Sequence, residues 1–381
     1  MNLALCLSNC TIESALAVSI SILSMEYAIT FWRHNRLINL IKIVYSHKLY
    51  YLLDLIRIVM KSRLTVNKAC KNGLFVAGIL LIFVSLIGFT NQNNVIRAQM
   101  ANEKGYELQA MGGGAYAVSS TGYNSMFLVT GDGVIVVDVP PSIGEKINEA
   151  IAEVTNEPIK YLIYSHAHKD HIGGAHTLPA GIEIVAQEDT SKFLKMANDT
   201  ERPLPTQIFD NETTITLGNA TLQLSYGGPY HQNGNIFIYA PQHKILMAVD
   251  QFSPGGTPWK HLATTPHVPS YIQSYDQVLN YDFDTYVSGH GIGTKDDVQL
   301  EKEYVADLRN NAGFAISNVN FTEATKNADK SNNAAVTEAY FNAMTDVCAD
   351  RTDGNWKDKL QGVGVWTDEH CEKMIISLRN D

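Results

Sequence analysis

The chain has 381 residues, 45% of them hydrophobic, with Gly and Pro scattered; that is enough apolar matter for a sizeable core and excludes collagen-like and low-complexity classes. Residues 1–98 carry ten Lys/Arg against three acids, which leaves 19 bases and 36 acids, a net of about −17, to residues 99–381. An acidic body excludes nucleic acid as the expected substrate, because phosphate contacts need a basic surface, while a basic, apolar front end points to a membrane.

Residues 73–89 read Gly-Leu-Phe-Val-Ala-Gly-Ile-Leu-Leu-Ile-Phe-Val-Ser-Leu-Ile-Gly-Phe and hold no charge. Lys61, Arg63, Lys68 and Lys71 precede them, and no acid occurs between Leu55 and Asn102. A positive flank followed by an apolar run is the pattern of a signal peptide or a transmembrane signal anchor. The run is long for a cleaved segment and slightly short for a spanning helix. A buried core helix is the bland alternative, and the one-sided basic flank argues against it. Met60 stands just before this flank, so residues 1–59 read as an over-extended start. The competing reading is a genuine membrane segment near residues 14–32, interrupted by Glu26. Residues 60–98 are then the signal or anchor with its linker. The rest of the chain is expected to be exported, anchored at the membrane's outer face or released into a periplasmic or extracellular space.

From Gly105 the chain becomes strand-rich. Residues 116–120 and 125–129 read as paired strands around Thr121-Gly122-Tyr123-Asn124. Val134-Ile-Val-Val-Asp138 is another strand, residues 143–155 a helix, and Lys160-Tyr-Leu-Ile-Tyr164 a buried strand that runs into Ser165-His166-Ala167-His168-Lys169-Asp170-His171. Strands continue to His290. Beyond Asp296 the pattern is helical, over residues 298–311, 333–350 and 368–379, and no repeat period is present.

The His-x-His-x-Asp-His string carries the chemistry. Imidazole and carboxylate suit zinc, and alternating donors on a loop can converge. Four donors in six residues crowd one tetrahedral ion that must also keep an open position, so two ions are the simpler reading. A metal-free surface histidine cluster is the alternative, but the preceding strand and Gly173-Gly174 supply the context the motif requires.

This string, and its spacing to later residues, resembles the metallo-β-lactamase superfamily. The resemblance covers about residues 106–295. Val134-Ile-Val-Val-Asp138 is similar to the strand that ends in the family's supporting Asp. Gly227-Gly-Pro-Tyr230-His231-Gln-Asn-Gly-Asn is similar to its third-histidine motif. Leu246-Met-Ala-Val-Asp250 resembles the bridging-carboxylate motif, and Val287-Ser-Gly-His290-Gly the final-histidine motif. The resemblance implies an α/β (α+β) fold: an αββα sandwich of two mixed sheets flanked by helices, with metals at one rim. Residues 99–296 would be the catalytic domain and residues 297–381 a helical C-terminal extension.

It also implies a ligand set. One zinc takes His166, His168 and His231; the second takes Asp170, His171 and His290; Asp250 bridges, and a shared water or hydroxide attacks a carbonyl. Asp138 is expected to orient a ligand loop rather than bind metal. Asp250 stands where true metallo-β-lactamases place Cys or Ser, so penicillin cleavage is not the expected task. A bridging Asp is typical of lactonases, glyoxalase II-like thioesterases and many phosphodiesterases. His168 is not Glu, which argues against a flavodiiron-like centre. The expected function is zinc-dependent hydrolysis of a small lactone, ester, thioester or amide, with lactones first.

Two rivals remain: a mono-iron, persulfide dioxygenase-like oxidoreductase, and a non-catalytic metal-binding protein of the same fold. Tyr230 and Tyr123 are candidates to donate to the oxyanion, against the commoner structural role of buried tyrosine. His261 and His267 fall in a loop, with Pro258 and Trp259, that could line the substrate pocket. His176, His243 and His370 read as ordinary. Cys348 and Cys371 are the only cysteines after residue 98. In an exported chain they are expected to form a disulfide, with two buried thiols as the alternative.

Overall fold

The computed structural model describes residues 103–381. The apolar run at residues 73–89 and the alternative starts lie outside them. Among the described residues, no helix is long and apolar enough to cross a membrane.

The first sheet has seven strands in chain order: β1 (Glu107–Gly112), β2 (Ala115–Ser120), β3 (Tyr123–Val129), β4 (Val134–Val137), β5 (Ile159–Ile163), β6 (Glu183–Gln187) and β7 (Gln207–Phe209). β2 and β3 pair from Ser120↔Tyr123, closer to the turn than the sequence indicates. Thr121 and Gly122 both take positive φ there, which lets a two-residue turn follow the strand twist. From β4 to β7 the pairing is parallel.

The second sheet has six strands, ordered β13 (Ile292–Thr294), β12 (Thr285–Val287), β11 (Ile245–Met247), β10 (Phe237–Ala240), β9 (Ala220–Ser225) and β8 (Glu212–Leu217). Besides four-residue helical turns at Lys260–Ala263 and Phe321–Ala324, the helices are α1 (Lys146–Ala152), α2 (Lys169–Ile172), α3 (Glu188–Ala197), α4 (Val268–Leu279), α5 (Lys295–Asn318), α6 (Asn333–Trp356) and α7 (Thr367–Asn380).

Strand alternation builds three apolar layers. Ile135 and Val137 of β4 face Ile238 of β10 and Met247 of β11 between the sheets. Val134 and Val136 point the other way, onto Ile147 and Ile151 of α1. Phe237 and Tyr239, alternating with Ile238, cover the outer face of the second sheet with Tyr271 and Tyr275 of α4. The fold is therefore the expected αββα sandwich.

The C-terminal helices outrun their sequence-predicted spans. α5 starts early because Thr294 and Asp297 form a capping box, with Asp297 Oδ2 accepting from Thr294 N at 2.7 Å. α5, α6 and α7 share one core with the outer face of the second sheet through Tyr304, Leu308, Met344 and Met374. Cys348 of α6 and Cys371 of α7 form the expected disulfide, with Cα atoms 5.9 Å apart.

Candidate metal centre

All the candidate donors leave strand ends at one rim of the sandwich. β5 delivers His166 and His168, and the short α2 turns Asp170 and His171 back beside them. Gly174 lets that turn sit close: a Cβ there would lie 2.9 Å from the carbonyl oxygens of Val139 and Pro140. His231 comes from the loop before β10, Asp250 follows β11 at φ 62°, and His290 follows β12.

Two donor groups result. His166, His168, His231 and Asp250 form one; Asp170, His171, Asp250 and His290 form the other; within each, one ligand atom per residue lies within 4.8 Å of the rest. Asp250 belongs to both. His171 Nε2 is 2.8 Å from Asp250 Oδ2 and 3.4 Å from Asp170 Oδ2. His231 Nε2 is 3.6 Å from Asp250 Oδ2, His290 Nε2 is 3.3 Å from Oδ1, and His168 Nδ1 is 2.9 Å from His231 Nε2. Bonds of about 2.0 Å to a tetrahedral zinc put donors about 3.3 Å apart, which these separations bracket.

Second partners fix which ring nitrogen faces the centre. Asp138 is fully buried; its Oδ1 accepts from Ser165 N at 2.8 Å and its Oδ2 from Ser165 Oγ at 2.6 Å. Ser165 Oγ then accepts from His166 Nδ1 at 2.8 Å, so His166 Nε2 carries the free lone pair. His231 Nδ1 donates to Ala263 O at 2.6 Å, and His290 Nδ1 to Gly122 O at 2.9 Å. Asp138 thus bonds to the loop that carries His166 and joins neither donor group.

The donor set fits divalent cations. His166 Nε2, both ring nitrogens of His171 and Asp250 Oδ1 are buried without an aligned hydrogen bond. Leaving such groups unsatisfied costs about 1–3 kcal/mol each, a cost that metal coordination removes. Burial holds His166 well below its ordinary pKa and brings His168 to about 4, so both are in the neutral, metal-binding form. Burial pushes the Asp250 carboxyl up, but the imidazoles of His171 and His290 beside it outweigh that and hold it well below its ordinary range. Burial likewise raises Asp138 to about 7, against the opposing bonds from Ser165.

The other candidates divide. Tyr123 lies over the centre, its ring 4.7 Å from His290 and 5.5 Å from His171, with its hydroxyl toward Asp170. Tyr230 does not join it. Its hydroxyl donates to Gln277 of α4 and its ring stacks on Phe237 at 5.0 Å, inside the core. The expectation that Tyr230 serves the oxyanion is corrected on that ground. His267 caps α4 through Ser270, and exposed His261 approaches Glu369 at 3.7 Å. His176 and His243 bond backbone carbonyls at the surface, as expected of ordinary residues.

Several participants carry no sequence signal: Ser165 as a relay, Gln232, whose Oε1 accepts from Ala167 N at 3.1 Å, and Glu301, whose Oε2 accepts from Ser253 N at 2.7 Å just after Asp250. A cleft of about 300 Å³ opens beside His168 and His231, lined also by Phe193, Gln232, Asn233, Thr264 and Pro266.

Residues 120–290 match the sequence profile of the metallo-beta-lactamase superfamily. A 2,4-dinitroanisole O-demethylase subunit alpha of Nocardioides sp. (strain JS1661) is 29% identical over 168 residues, 42% of this chain and 51% of that protein. A metallo-beta-lactamase type 2 of Bacillus cereus is 31% identical over 128 residues, 32% of this chain and 48% of that protein. The chain spans about half the length of the curated relatives it matches. Among solved structures, a metallo-beta-lactamase from Pontibacter korlensis aligns at 18% identity and a TM-score of 0.46, over 52% of this chain and 99% of that one. Residues 120–290 thus match the metallo-β-lactamase superfamily, the family that their donor string resembles.

Proposed function

We propose that this protein is a zinc-dependent hydrolase of small carbonyl substrates, with lactones first and esters, thioesters and amides beside them. The observation that carries the reading is the shared carboxylate: Asp250 belongs to both donor groups, so one side chain would serve both ions. In the proposed set His166, His168 and His231 would hold one zinc and Asp170, His171 and His290 the second, with Asp250 available to both. When bound, such a pair lowers the pKa of a shared water to near neutrality and polarises a carbonyl.

The chain's own groups do the rest. Asp138 and Ser165 hold His166 in one tautomer, and the Ala263 and Gly122 carbonyls do the same for His231 and His290. Tyr123, over the second donor group, is placed to hydrogen-bond an oxygen that gains charge. Among the described residues, the cleft beside His168 offers a ring, a proline, two amides and a hydroxyl but no Lys or Arg, which suits an uncharged acyl portion. A single-iron oxygenase is the weaker reading, because it would leave the second donor group without a task.

A hydrolysis panel on the zinc-loaded protein tests this: neutral lactones, thioesters, esters, β-lactams, phosphodiesters and sulfate esters. An aryl methyl ether joins the panel because one relative is named an O-demethylase subunit. Turnover of neutral carbonyl substrates ahead of the rest is the expected result. Activity confined to persulfides with iron bound would overturn it.

We further propose that the chain beyond about residue 98 is exported, held at or released from the outer face of a membrane through residues 73–89. The disulfide between Cys348 and Cys371 supports this, since such bonds persist in oxidising compartments. A reporter fused after Asn102 should be active only if it works outside the cytoplasm; cytoplasmic activity would refute export.

A further inference from the structure

His261, Leu262, Ala263 and Thr264 have φ of 51°, 56°, 53° and 52°. Four consecutive residues with side chains thus lie in the left-handed region, which L residues avoid and which glycine alone visits freely. A turn of this kind persists only where its surroundings over-determine it. Local bonds close it: Ala263 N donates to Trp259 O at 2.7 Å and Thr264 N to Lys260 O at 2.9 Å. They do not choose its hand, since a right-handed turn closes the same bonds.

From outside, α7 packs against the turn. Leu262 and Ala263 are buried in the apolar layer that contains Cys371 and Met374 of α7. Glu369, in the first turn of α7, lies 3.5 Å from Lys260 and 3.7 Å from His261. His370 beside it is completely buried. Its Nδ1 meets Tyr304 Oη at 2.9 Å, and the ring faces the Pro258 and Trp259 carbonyls, though without an aligned bond at Nε2. Cys371, next in sequence, anchors α7 to α6.

On its other side the turn touches the metal centre. Ala263 O accepts from His231 Nδ1 at 2.6 Å, and Thr264 Oγ1 lies 3.3 Å from the same nitrogen. That bond sets the tautomer of His231 and turns Nε2 toward His168 and Asp250.

We propose that α7, braced by Tyr304 of α5, is a positioning element for one of the two metal sites: by clamping the left-handed turn at residues 261–264, Glu369 and His370 hold the Ala263 carbonyl that orients His231. The proposal rests on the reading that His231 is a ligand. It makes the C-terminal helices part of the active centre, although none of their side chains belongs to either donor group.

The test is stepwise Co²⁺ titration of the full-length protein, followed by visible spectra and calorimetry, with circular dichroism and Tm to establish folding. His370→Phe keeps the bulk and loses the polar edge; it should weaken one of two ions about 10- to 100-fold and leave the other alone. His370→Gln, which restores polar atoms, should recover most of that loss. Tyr304→Phe, an isosteric change should His370→Phe fail to fold, should weaken the same ion by a smaller factor. Adding His261→Gly, which relieves the left-handed conformation, should recover affinity in the His370→Phe background. Unchanged affinities in folded His370→Phe and Tyr304→Phe, or equal loss of both ions, would overturn the positioning role while leaving the ligand assignment intact. A wild-type protein in which His231→Ala costs no ion would instead overturn the ligand reading, and the proposal with it.

Discussion

Gly289 is a tightly packed position at the rim. It precedes His290, and a Cβ there would lie 2.5 Å from Asp250 Oδ1, 2.6 Å from His171 Cε1 and 2.9 Å from Val249 Cγ1. Ordinary contact begins at 3.4 Å, so Gly289→Ala must displace the Asp250 carboxylate by about 0.9 Å and the His171 ring by about 0.8 Å. Neither group can yield freely: His171 is fully buried, and Asp250 sits in a braced loop whose neighbour Gln251 donates to Asn235 at 2.5 Å. Overpacking of this size costs about 1–3 kcal/mol of stability. The larger effect falls on function, where a misplacement of about 1 Å at a catalytic centre costs about 100-fold. Metal titration, kcat/KM on the best panel substrate and thermal unfolding are the assays. The expected result is a folded protein, a few degrees less stable, with both ions weakened and kcat/KM down about 100-fold. Gly313→Ala is the control: that glycine lies within α5, a Cβ meets nothing within 4 Å, and the change should add about 0.5–1 kcal/mol without touching the metals. If Gly289→Ala bound both ions and turned over substrate like the parent, the packing of the centre described above would be wrong.

Asp138→Ala should reduce activity by about 10- to 100-fold, as loss of a group that acts through Ser165 and His166, whereas Asp250→Ala should cost more because it belongs to both donor groups; equal losses would refute that ranking. Replacing Cys348 and Cys371 by Ser should lower stability by about 3 kcal/mol, the chain-entropy value for a bridge across 23 residues, and unchanged denaturant midpoints would contradict it. Burial raises the Glu301 carboxyl from 4.5 to about 8, against bonds from Ser253, Tyr275 and Tyr271, with Asp297 adding to the rise. The folded state therefore holds a proton that the unfolded chain releases, so stability present below about pH 4.5 is lost as pH rises toward 8, by at most about 5 kcal/mol. Glu301→Gln should flatten that slope in denaturation curves from pH 5 to 8, and an unaltered slope would assign it elsewhere.

The sandwich and the donors were legible in the sequence for a common reason: both are written locally. Four donors in six residues after a buried strand, and Asp250 and His290 just beyond strands β11 and β12, announce themselves by spacing. Strand alternation is equally local, so Val134-Ile-Val-Val137 already divides its side chains between two layers. What stayed hidden depends on partners far along the chain. Tyr230 adjoins His231, yet Gln277 and Phe237 draw its side chain into the core, because adjacency in sequence does not fix direction. Lys260-His-Leu-Ala263 contains no glycine to announce a left-handed turn, and α7, which packs on it, lies about a hundred residues later. His370 looked ordinary because its partners, Tyr304 and the carbonyls of Pro258 and Trp259, lie on other elements.

Metal content is the measurement that tests the central claim most directly. Elemental analysis of the purified protein, with activity followed through chelation and zinc return, reads the two donor groups at once. The account predicts about two zinc ions per chain, activity lost with the chelator and restored with zinc. A protein that binds no divalent ion, and whose activity ignores chelators, would contradict it.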